Sequence, residues 1–88
     1  MARALLFAPR SMTAEQNDES IRRLESAGAG APPGRRYHVC FGTGTNLRIL
    51  DIWDSQEAFD QTLMPILQQV GLDPGQPEIA EVHNIIAG

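Results

Sequence analysis

Two strand-like runs lie almost next to each other in this chain, Arg35 to Gly42 and Leu47 to Asp54, and each has apolar residues on both of its alternating faces. A sheet with one face in water would instead alternate apolar and polar residues. The sheet is therefore predicted to be covered on both sides. The opposed sets are Tyr37, Val39 and Phe41 against His38 and Cys40 in the first run, and Leu47, Ile49 and Trp53 against Leu50 and Ile52 in the second.

The remaining segments predict two helices and two more strands. Ala2 to Ala8 is a short apolar run that Pro9 ends, because proline cannot donate to a strand ladder. Thr13, followed three residues later by Gln16, is a capping-box signature that predicts the start of the first helix. The apolar stripe of this helix also contains a polar residue, since it consists of Ala14, Asn17, Ile21, Leu24 and Gly28.

The second helix is predicted to begin at Asp54, because Glu57 follows at capping-box spacing. Pro65 lies within its apolar pattern and predicts a kink or break near Met64, since proline removes a helical hydrogen bond and clashes with the preceding turn. After a turn-rich link, the segment from Glu78 to Ile86 alternates as a last strand.

The order strand, helix, strand, strand, helix, strand predicts one α+β domain over residues 1–88, with the ferredoxin-like βαββαβ arrangement. Right-handed connections then give a four-stranded antiparallel sheet in the order 4-1-3-2, with both helices on one face. The other face is left bare. We expect a second copy of the chain to cover it, which predicts a homodimer that forms a dimeric α+β barrel.

The composition excludes several classes of function. A formal net charge of −4, without a run of basic residues, argues against a nucleic-acid or membrane-surface partner. One cysteine, Cys40, excludes an internal disulfide and a thiolate zinc site, so no metal is expected and a cytoplasmic location is favoured. Lysine is absent, which excludes Schiff-base catalysis and covalent pyridoxal phosphate.

The stretch ILDIWDSQEAF, from Ile49 to Phe59, resembles the strand-to-helix junction of the antibiotic biosynthesis monooxygenase-like proteins. A looser similarity extends over Tyr37 to Phe41 and over the closing segment EVHNII, from Glu81 to Ile86. The resemblance implies a small dimeric α+β barrel. Haem-degrading relatives use an asparagine on the first strand and a tryptophan and a histidine on the second helix. This chain has none of these at the matching positions.

The resemblance also implies a cofactor-independent monooxygenase that acts on an aromatic or polyketide-like compound, in which the deprotonated substrate itself supplies electrons to dioxygen. Such an enzyme needs a cavity and a base, but no bound cofactor. The same features also fit a non-catalytic ligand-binding or interaction dimer whose interior is filled by its own side chains.

The candidate general bases are the two histidines, His38 and His83, which the predicted strand order places on opposite edge strands. They lie too far apart to share a metal within one subunit. A lone histidine on a strand is more often a structural residue with a satisfied hydrogen bond.

Four further residues are candidates for substrate binding. Trp53 either donates its indole N–H to a ligand or anchors the core. Asn17 either lines a polar pocket or forms a hydrogen bond with the sheet. Tyr37 and Asp51 become neighbours if Val39 pairs with Ile49. They then either bind a polar group of a substrate or form a hydrogen bond at the subunit boundary. The same register places Arg48 near Cys40, which is expected to be a small buried residue.

Overall fold

The computed structural model describes residues 2–88, which form a four-stranded antiparallel sheet with helices packed on one face. The strands are β1 (Arg3–Phe7), β2 (Arg35–Phe41), β3 (Arg48–Trp53) and β4 (Glu78–Glu81), and the helices are α1 (Ala14–Ser26), α2 (Gln56–Thr62) and α3 (Met64–Gln69). The strand order β2-β3-β1-β4 is the predicted 4-1-3-2 read from the other edge. This small α+β architecture is compatible with a ferredoxin-like fold.

Local signals explain where the helices begin and end. The capping box at Thr13 and Gln16 is present in full, so the predicted start of the first helix is confirmed. The second helix breaks as predicted, because α2 ends before Leu63 and α3 begins with Pro65 in its first turn. The predicted start of the second helix at Asp54 was wrong, because Ser55 is the N-cap of α2. The Oγ of Ser55 accepts the Ala58 amide, whereas Asp54 forms an ion pair with Arg36.

The last strand is shorter than the predicted span from Glu78 to Ile86. β4 pairs with β1 over Glu78–Glu81, and Val82 adds one further bond from its amide to the Ala2 carbonyl. The segment that follows carries His83 and has no regular secondary structure. His83 is therefore not on an edge strand.

The core lies between the sheet and the helices. Trp53 on β3 is fully buried, and its indole meets the Phe59 ring of α2 edge-on, with centroids 5.4 Å apart. Gly34 allows this close packing, because a Cβ there would come within 2.8 Å of the Ala58 Cβ. The buried apolar cluster consists of Leu5, Phe7, Ala29, Trp53, Phe59, Leu63 and Leu67.

The helix-free face of the sheet is apolar and exposed, as the two-sided pattern predicted. Tyr37, Val39 and Phe41 remain 50%, 47% and 39% exposed, although they lie on a strand. Their cross-strand neighbours on this face include Ile52, opposite Tyr37, and Leu50, opposite Val39. The helices thus cover only one side of the sheet.

The predicted pairing of β2 with β3 was wrong by one residue. Val39 pairs with Leu50 rather than with Ile49, so His38, and not Tyr37, lies opposite Asp51. Arg48 lies opposite Phe41 instead of near Cys40, and its guanidinium carbon is 5.5 Å from the centre of the Phe41 ring. Because side chains alternate along a strand, a shift of one residue changes which side chains meet on each face.

Candidate functional site

A cavity of about 130 Å³ lies between the helix-bearing face of the sheet and the helices. Its wall is mainly apolar, and Phe7, Ile49 and Leu67 belong to it. The polar residues that reach it come from different elements. They are Asn17 and Ser20 of α1, Arg35 and His38 of β2, Asp51 of β3, and Asp73 of the link after α3.

A histidine–aspartate pair lies at this cavity. The Nδ1 of His38 is 2.6 Å from the Oδ1 of Asp51, and the pair connects residues directly opposite each other on β2 and β3. Asp51 is 3% exposed, and its Oδ2 accepts a second hydrogen bond of 3.3 Å from the indole N–H of Trp53. Both oxygens of this buried carboxylate are therefore engaged, as a buried charge requires.

The pairing fixes the protonation pattern of the imidazole. An ionised carboxylate only accepts hydrogen bonds, so we assign the proton of neutral His38 to Nδ1 and the lone pair to Nε2. The Nε2 atom is buried, and no hydrogen-bond partner reaches it from the described residues. An imidazole oriented by a carboxylate on one nitrogen and free on the other is the arrangement of a general base.

Asn17 is a second polar residue at the cavity. It is 7% exposed on the inner stripe of α1, and its side chain forms no hydrogen bond with the rest of residues 2–88. Unlike the Nε2 of His38, its carboxamide is not closed off from solvent, so it can bond to water or to a ligand in the cavity. The predicted pocket position of Asn17 is the one that the structure shows.

The other candidates lie elsewhere. Trp53 does not line the cavity; it packs in the core and reaches the site only through its bond to Asp51. Tyr37 is half exposed on the helix-free face, on the opposite side of the sheet from Asp51. His83 is exposed in the segment after β4 and does not line the cavity. The structure brings together only Asn17, His38 and Asp51.

Arg35, which lines the cavity from the start of β2, was not predicted from the sequence. The pairing of His38 with Asp51 was not predicted either, because the predicted register of β2 and β3 was wrong by one residue. The signal was available: His38 and Asp51 are the polar residues inside the otherwise apolar runs from Tyr37 to Phe41 and from Ile49 to Trp53, and pairing them satisfies both.

Cys40 is on the same strand face as His38 but does not line the cavity. Burial raises the pKa of its thiol, and the charge of Asp18 on α1 raises it further. A thiol with a raised pKa carries little thiolate near neutral pH, which is the opposite of what a cysteine nucleophile needs. Cys40 was expected to be a small buried apolar residue, and the structure leaves it half-buried.

Comparison with known protein families, with curated proteins and with solved structures finds no match to this chain. Within residues 2–88, no three side chains of His, Cys, Asp or Glu lie close enough together to hold a metal ion. None of the helices described has the length and the hydropathy to cross a membrane.

Proposed function

We propose that this protein binds a small aromatic or enolic molecule in the cavity and that His38 acts there as a general base. The observation that carries the proposal is the buried Nε2 of His38, which lacks a partner while Asp51 holds the Nδ1 side of the ring. A ligand hydroxyl that reaches Nε2, which is closed to water in the free protein, supplies the missing partner and loses its proton to that nitrogen.

The concrete reaction that we propose is a cofactor-independent monooxygenation, which agrees with the resemblance of the Ile49 to Phe59 segment to the monooxygenase-like family. In this reaction a deprotonated phenol or enol passes electrons to dioxygen. One oxygen atom becomes a carbonyl oxygen at a substrate carbon. The other leaves as water with one hydrogen from this carbon and the proton that the hydroxyl gave up, so the balance needs no external reductant.

The proposed assembly is a homodimer that packs the two helix-free faces together as a dimeric α+β barrel. The support is the exposed apolar row on β2, made of Tyr37, Val39 and Phe41. The same face also carries a cation, Arg48, and an anion, Glu78, opposite Leu6. In a two-fold interface each patch meets its own copy, so opposite charges at separate positions can pair across the axis.

The test of the base uses oxygen uptake with single-ring phenols and enolisable compounds. We expect His38→Asn to slow uptake about 10²- to 10⁴-fold, since this is the usual contribution of a general base. His83→Asn is the matched control and keeps the wild-type rate, because His83 is exposed outside the cavity. Equal rates for the two variants, or no uptake above the buffer rate with any compound, contradict the proposed reaction.

A second candidate function is ligand binding without catalysis, and the cavity itself favours it over a filled interior. Thermal unfolding in the presence of the same compounds separates the two. A ligand that binds the folded state raises the melting temperature whether or not it reacts. A raised melting temperature without oxygen uptake supports the binding protein.

A further inference from the structure

Arg35 is a cation at the cavity that the general-base role does not use. It is half-buried at the start of β2, and its Nη2 donates a 3.0 Å hydrogen bond to the Gly30 carbonyl. No ion pair joins it to an acidic side chain of the described residues. Four other arginines do form such pairs, namely Arg3, Arg22, Arg23 and Arg36.

The two carboxylates at the cavity do not neutralise Arg35. Asp51 has one oxygen on His38 and the other on the Trp53 indole. Asp73 is exposed, and its Oδ1 accepts the amide of Gly75 in the link after α3. Donor capacity of the guanidinium therefore remains for a ligand, and Arg35 is placed to bind an oxyanion.

The volume of the cavity limits the size of that ligand. At about 130 Å³ it is close to the roughly 150 Å³ apolar cavity that holds one benzene molecule. It is well below the roughly 300 Å³ at which pockets for drug-sized ligands begin. The walls enclose about one aromatic or enolic ring, whereas a fused polycyclic skeleton would extend beyond them through the open side of the cavity.

We infer that the ligand is a compact single-ring phenol or enol, and that Arg35 binds the oxyanion formed when His38 takes the proton. This inference rests on the proposed function. The O–H bond of the ligand breaks, its electron pair stays on oxygen, and a new N–H bond forms at Nε2 of His38. Asp51 then faces the imidazolium, and Arg35 faces the ligand oxyanion.

The probe is 4-nitrophenol, whose phenolate absorbs visible light and reports its own ionisation. The full-length protein is titrated at a mildly acidic pH at which the free probe is mostly neutral. We expect binding to raise the phenolate absorbance, and 4-nitrotoluene, a neutral analogue of similar shape, to bind more weakly. The bicyclic 4-nitro-1-naphthol tests the size limit, and we expect it to bind at least about tenfold more weakly, which corresponds to about 1.4 kcal/mol.

Arg35→Met and Arg35→Gln both remove the charge, and using both variants protects the test against one that fails to fold. We expect either of them to weaken phenolate binding about tenfold to a hundredfold, the usual effect of losing a hydrogen bond to a charged group. Arg22→Met is the matched control. Arg22 is an exposed arginine of α1 that does not line the cavity, so this variant keeps wild-type binding.

The outcomes distinguish the role of Arg35 from the binding of any ligand in the cavity. If 4-nitrophenol binds but the Arg35 variants bind the phenolate as well as Arg22→Met does, the role of Arg35 is wrong while the pocket remains. If the bicyclic probe binds as tightly as the single ring, the size class is wrong. If neither probe nor analogue binds to the wild-type protein, the proposed function fails as well.

Discussion

His38 and Asp51 face each other across neighbouring strands, and their side chains form a 2.6 Å contact between Nδ1 and Oδ1. Trp53, two residues after Asp51 on the same strand, holds the other carboxylate oxygen. The tryptophan therefore does not need to touch a ligand to affect the site. It limits the rotation of the carboxylate, and the carboxylate orients the imidazole.

Replacing Asp51 with Ala leaves the His38 Nδ1–H and the Trp53 N–H without their acceptor. We expect the free energy of unfolding to fall by about 3 kcal/mol, since each donor that stays buried without a partner costs roughly 1–3 kcal/mol. Asp51→Asn keeps one acceptor oxygen and should cost less. Urea unfolding followed by tryptophan fluorescence measures both changes. Asp60→Ala, at an exposed position of α2, is the control, and a similar loss in both alanine variants contradicts the importance of the pair.

The helix-free face predicts a specific effect on assembly. Val39 is 47% exposed in the middle of β2, and we expect Val39→Glu to dissociate the proposed dimer by placing repelling charges at its two-fold interface. Val70→Glu makes the same change at the end of α3, on the other side of the sheet, and should leave the dimer intact. Analytical ultracentrifugation at micromolar concentration measures the mass. A monomeric wild-type protein refutes the barrel.

Two glycines with positive φ separate backbone strain from close packing. Gly28 and Gly34 have φ values of 82° and 91°, but only at Gly34 would a Cβ meet another side chain, that of Ala58. Gly28→Ala should therefore cost about 1–2 kcal/mol from backbone strain, and Gly34→Ala clearly more. Thermal and urea unfolding compare the variants. Equal losses mean that the loop before β2 does not pack on α2 as closely as described.

The raised pKa of Cys40 predicts slow alkylation. A higher pKa means a smaller thiolate fraction at any given pH, so iodoacetamide should react more slowly with the folded protein than with the urea-unfolded chain. The pH midpoint of the rate should also lie above that of the unfolded chain. Asp18→Asn removes the charge that raises this pKa and should speed the reaction, whereas Asp73→Asn should not. An unchanged midpoint in Asp18→Asn contradicts the contribution of the Asp18 charge to the raised pKa of Cys40.

The parts of the fold that the sequence predicted depend on local chemistry. The capping box at Thr13 and the break at Pro65 involve groups within four residues of each other, so nearby residues are sufficient to define them. The two-sided apolar pattern of β2 and β3 likewise indicated a sheet with one face left open by the helices. The inner position of Asn17 followed from helical spacing alone.

The candidate site depended on information that no short segment contains. The residue of β2 that faces Asp51 depends on the six-residue connection between the strands, and the register set there holds from Phe41 back to Tyr37 before an irregularity shifts it at Arg35. A one-residue difference there replaces Tyr37 with His38 as the partner of the carboxylate. His83 lies outside the site, in the segment after the end of β4 at the opposite edge of the sheet from β2. The sequence alone thus determined the elements and their faces. The tertiary structure determined the register, and therefore which polar side chains meet, because long-range strand pairing is decided by the packing of the whole core.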